Sequence, residues 1–119
     1  MYVLIVEQNH ELGVLRKKAL ARQGAIATLV SSQDEAIAHL RNYNVDVIVL
    51  DVMLTEGSAF AVSDFANYRR PKARVIFVTN TRFFSDGSIF QHCSNACAFV
   101  QSASPPEDLA AMVQHYGAN

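Results

Sequence analysis

Apolar residues fall along the chain in two alternating rhythms. Short β-branched or aliphatic runs suit buried strands, and longer stretches with apolar positions three to four apart suit amphipathic helices. Residues 2–6, YVLIV, are the first such run, and the polar Glu7-Gln8-Asn9 follows, with Asn9 placed to cap a helix over residues 10–23. That helix sets Leu12, Leu15, Ala19 and Leu20 on one face and stops at Gly24. Residues 26–30 give a second strand. Ser32-Gln33-Asp34-Glu35 has the spacing of a capping box and opens a helix with Ala36, Ile37 and Leu40 inward. The run Val47-Ile48-Val49-Leu50 reads as a central strand buried on both faces. It ends on Asp51, and Gly57 marks the turn into a helix whose apolar side is Phe60, Phe65 and Ala61 or Ala66. Arg69-Arg70-Pro71 ends that helix.

The second half repeats the pattern. Residues 74–78 form a fourth strand ending at Thr79, residues 85–94 a weaker helix burdened by Gly87, and residues 96–101 a short fifth strand. Ser104-Pro105-Pro106-Glu107 supplies an N-cap, a first-turn proline and a capping-box acid, followed by Leu109, Met112, Val113 and Tyr116 at helical spacing, with Gly117 closing the helix. Five strands each followed by a helix imply an α/β fold: a doubly wound, five-stranded parallel sheet with right-handed crossovers and helices on both faces.

Composition narrows the function. The 119 residues, half of them hydrophobic, suit one domain spanning 1–119. Ten basic against eleven acidic side chains, with no basic run, argue against direct nucleic-acid binding. The apolar N-terminus meets Glu7 too soon for a signal peptide or membrane span, so a soluble cytoplasmic protein is expected. Cys93 and Cys97 have no companion pair, so reduced thiols are expected rather than a zinc site.

In an open α/β sheet the carboxyl ends of the strands line the ligand crevice. Glu7 and Gln8, Asp51, Thr79 and Asn80, and Gln101 and Ser102 all fall at such ends. Two carboxylates converging without a basic partner suit a hard cation such as Mg²⁺, and Thr79 adds a hydroxyl donor, so Glu7, Asp51 and Thr79 describe a small phosphoryl site. Each has a plainer alternative. Asp51 could be a solvated acid capping its loop, Glu7 a first-turn acid favoured by the helix dipole, and Thr79 a strand former.

These segments resemble a response-regulator receiver domain of two-component signalling: VLIVEQN its acidic first strand end, VIVLDVMLTEGSAF its phosphoacceptor segment, VIFVTN its threonine strand, and FVQSASPPEDL its last strand and helix entry. The likeness implies the flavodoxin-like (βα)5 fold with strand order 2-1-3-4-5. It implies Asp51 as phosphoacceptor, Glu7 and the Met53 carbonyl with Asp51 as Mg²⁺ ligands, Thr79 as switch hydroxyl, and Phe99 at the aromatic switch position. It also implies a signalling domain rather than an enzyme, taking phosphate from a histidine kinase or phosphotransfer protein. A downstream target would dock on the fourth helix, fifth strand and last helix, the face through which receivers often pair as homodimers.

The departures from the pattern make such a receiver atypical. Gln8 stands where a second acid is usual, so metal affinity should fall. Ser102 and Ala103 stand where lysine and proline are usual, Thr55 replaces a proline, and Asn80 is larger than the usual small neighbour of the threonine. Arg82 is the one nearby cation in sequence that could reach a phosphate, although an exposed loop arginine is the plainer reading. The alternative function is a phosphorylation-independent pseudo-receiver acting as a constitutive interaction module. A small flavodoxin-like enzyme lacks any supporting glycine-rich loop or catalytic constellation. His10 lies beside the site, and Phe83 and Phe84 suggest a docking patch.

Overall fold

The computed structural model describes residues 1–79 and 95–118. Five parallel strands form one sheet: β1 (Tyr2–Val6), β2 (Ile26–Val30), β3 (Val47–Asp51), β4 (Arg74–Thr79) and β5 (Ala96–Gln101), in the order β2-β1-β3-β4-β5. Four helices are described: α1 (His10–Arg22), α2 (Gln33–Asn42), α3 (Ala59–Arg69) and α4 (Pro106–Gly117). The helix expected over 85–94 lies outside the described residues, as do Asn80, Arg82, Phe83 and Phe84.

Although the interiors of the central strands are apolar, successive side chains leave on opposite faces and divide the core in two. Leu4, Val6, Ile48, Leu50, Val75 and Phe77 meet Ala36 and Leu40 of α2 and Val62 and Ala66 of α3. Val3, Ile5, Val47, Val49, Ile76 and Val78 meet Ala19 and Leu20 of α1 and Leu109 and Val113 of α4. Each fully buried aliphatic side chain contributes about 1.5–3 kcal/mol, so both faces are anchored before any polar group is considered. Asp51 is fixed at the edge by a strand held from four directions.

Local signals mostly act as the sequence indicates. The Asn9 side chain accepts the Leu12 N–H at 3.1 Å, and Ser32 Oγ accepts the Glu35 N–H at 3.2 Å. Gly57, at φ +101°, turns the chain from β3 toward α3. Four details differ. Leu15 is exposed while Arg16 is buried, because α1 turns its Gly13, Arg16, Ala19 and Leu20 stripe to the protein. Phe60 sits at the rim of α3 and Phe65 is half-buried, the inward positions being Ala59, Val62, Ser63 and Ala66. The N-cap of α4 is Pro105, without a side-chain cap, and the Ser104 amide instead donates to the Gln101 carbonyl. Gly117 is the last residue of α4 rather than a left-handed stop, and an added Cβ there would come within 2.5 Å of Met1.

Candidate functional site

The carboxyl ends of β1, β3 and β4 bring three of the expected residues to one edge. Glu7 follows β1 directly, with its amide donating to the Val30 carbonyl at 3.0 Å and the residue 4% exposed. Asp51 closes β3, and its Oδ1 accepts the Met53 N–H at 2.9 Å. Thr79 closes β4 in the adjacent strand and is fully buried. Ser102 follows β5 and is tied to β4 by its amide, which donates to the Thr79 carbonyl at 2.7 Å. A cavity of about 190 Å³ opens here, lined by Glu7, Gln8, Asn9, Leu12, Asp51, Met53 and Ser102. Phe99 lies half-buried on β5 opposite Phe77 of β4, one side chain away from this edge.

The electrostatics of the cavity depend on a residue that the strand-end inventory does not contain. Arg16 of α1 is 3% exposed and donates from Nη1 to Glu7 Oε1 at 2.6 Å. Its Nη2 reaches the Ser102 carbonyl at 3.4 Å, a longer contact. The other Glu7 oxygen, Oε2, accepts the Asn9 N–H at 3.1 Å. Both Glu7 oxygens are therefore engaged. Burial above all pushes Asp51 up to about 6; the Met53 N–H opposes this, the Glu7 carboxylate adds to it, and the Arg16 charge also opposes it. An acid in that range titrates close to neutrality.

Arg16 was legible in hindsight. It stands four residues after Leu12 and three before Ala19, on the stripe that faces the protein, and a charged residue on such a stripe requires a buried partner.

Two departures from the receiver pattern turn out to be partners of each other. Gln8 Oε1 accepts both the backbone N–H and the hydroxyl of Thr55, each at 2.8 Å. A proline at 55 would have neither donor, and an acid at 8 would bring a second charge to the loop. The amide oxygen of Gln8 is thus committed to the loop between β3 and α3.

Glu7 and Gln8 are committed to protein groups rather than left open to Mg²⁺. Such a cation needs near-octahedral oxygen ligands and usually keeps several waters. Here Glu7 carries a guanidinium on one oxygen and an amide on the other, and Gln8 is held by Thr55. Among the described residues no cluster of three His, Cys, Asp or Glu side chains is placed for a metal, and no buried side-chain polar atom lacks a partner.

No protein-family model and no curated protein sequence matches the chain. Solved structures do. A CheY-like response regulator receiver domain protein from Methanospirillum hungatei superposes with a TM-score of 0.88 at 19% identity, over 98% of this chain and 93% of its own. The signal receiver domain of a putative LuxO repressor protein from Vibrio parahaemolyticus gives 0.87 at 22% identity, over 98% and 89%. The response regulator TrrA from Thermotoga maritima, crystallised in complex with Mg²⁺-BeF, gives 0.83 at 18% identity, over 97% of each chain. The chain therefore has the fold of response-regulator receiver domains. No helix among the described residues is long and apolar enough to cross a membrane.

Proposed function

We propose that the chain is a receiver-type signalling domain of two-component systems that accepts a phosphoryl group on Asp51 and signals through changed protein contacts. The observation that carries this reading is the place of Asp51: a carboxylate at the end of the middle strand, opening on a cavity beside Glu7 and next to the Thr79 strand end. In the reaction, an Asp51 oxygen attacks the phosphorus of a phosphohistidine on a kinase or phosphotransfer protein. The P–N bond breaks with its electron pair going to the ring nitrogen, and a phosphohistidine protonated on its other ring nitrogen leaves as neutral imidazole. The product bears about two negative charges, which charge-assisted donors hold. Thr79 is the hydroxyl candidate, and Arg16 supplies the positive charge.

The donor set does not favour Mg²⁺ assistance, so the step is drawn on protein groups. The downstream target or a second copy would read the face that includes β5 and α4. A cytoplasmic setting and a single-domain organisation belong to the same reading.

A second reading is favoured by one specific observation. The Glu7–Arg16 pair completes the site without phosphate, as a phosphorylation-independent interaction module would require. Intact-mass spectrometry after incubation with a phosphorylated phosphotransfer protein or a small phosphodonor separates the two. A single phosphoryl adduct absent from Asp51→Asn supports the first; no adduct from any donor, with the fold intact, supports the second.

A further inference from the structure

We propose that Arg16 is the resident cation of the acid edge, occupying from α1 the position that a bound divalent metal would otherwise fill beside Glu7 and Asp51. It also reaches the loop after β5, where a lysine would otherwise stand. The inference deepens the reading of this pocket as a signalling site and rests on it for its consequence, while its geometry stands on the contacts alone. A guanidinium cannot lose its proton in a protein, so its charge is permanent. A divalent cation approaching Glu7 would meet that charge across a single carboxylate.

Arg16 also has the right shape for a later role. Its planar fork matches a phosphoryl group as well as a carboxylate. A phosphoryl group on Asp51 would compete with Glu7 for the same guanidinium. Because Arg16 already touches the Ser102 carbonyl, a change of partner would be felt both by α1 and by the loop leaving β5. Charge on Asp51 would reach two elements through one side chain.

The test measures metal binding without any phosphodonor, so its outcome is independent of whether Asp51 is phosphorylated. Amide NMR spectra of the wild type, Arg16→Met and Arg16→Lys are followed as Mn²⁺ is added. The expected result is that amides of residues 7–9 and 51–53 keep their signals in the wild type and in Arg16→Lys. Arg16→Met, which frees Glu7, should lose them through paramagnetic broadening. Broadening in the wild type at the same Mn²⁺ concentration, or a folded Arg16→Met that stays sharp, overturns the proposal. Should Arg16→Met not fold, the wild-type and Arg16→Lys arms decide it: retained signals support the resident cation, and lost ones refute it.

Discussion

Helix α1 carries two arginine–carboxylate pairs built from the same groups at nearly the same distance. Arg16 meets Glu7 at 2.6 Å with side chains 3% and 5% exposed; Arg22 meets Glu107 of α4 at 2.8 Å with side chains 61% and 65% exposed. Distance does not separate them, but solvent does. Around Arg22 water can solvate either charge when the other is removed, so the pair is worth little. Around Arg16 a lone charge would be stranded, so each partner depends on the other. The inner pair is therefore a constraint on the fold and on the site chemistry, and the outer one is a surface contact.

This contrast breaks first at Arg16. Arg16→Ala leaves Glu7 buried without its counter-charge beside a second acid, and a loss of about 3–5 kcal/mol is expected in chemical denaturation. Glu7→Gln should cost less, because Asp51 remains to receive the guanidinium. Equal losses for the two would remove Asp51 from the network.

Asp51→Asn should act in the opposite direction. The folded-state pKa of Asp51 is raised from the usual 3.8 to about 6, so between these values the folded protein holds a proton that the unfolded chain has released. Stability is then fully present below about pH 4 and declines as pH rises through 6. At pH 7.5 the asparagine variant, free of that penalty, should be more stable by about 1–3 kcal/mol, and the gain should vanish toward pH 4. Denaturation midpoints across that range check both the sign and the window.

Thr55→Pro sharpens the account of the neighbouring loop. It removes both donors to Gln8, for an expected loss of about 1–2 kcal/mol. Gln8→Ala combined with it should cost little more, since the two residues share the same bonds. The smallest effect belongs to the outer pair: a double-mutant cycle on Arg22 and Glu107 should give about 0.5 kcal/mol or less, shrinking with added salt.

The fold was legible because the chain is locally consistent. The run at Val47–Asp51, the Ser32 cap and the turn at Gly57 each point to the same α/β alternation, and the structure places them accordingly. Of the site, the strand ends that converge, Glu7, Asp51 and Thr79, could be read because a parallel sheet gathers its carboxyl ends at one edge. Arg16 could not be found that way. It comes from the middle of a helix and enters the edge sideways, so a search along strand ends passes over it and turns to Arg82, which lies outside the described residues. The Gln8–Thr55 bond was hidden for a related reason. Each residue read alone is a missing feature, and only their juxtaposition shows one accommodating the other.

The most direct test of Arg16 as resident cation is a crystal structure of the protein grown in excess Mg²⁺. The account predicts the Arg16 guanidinium still on Glu7 Oε1, with no metal between Glu7 and Asp51. An octahedral ion bound to both carboxylates at about 2.1 Å, with Arg16 displaced from Glu7, would contradict it.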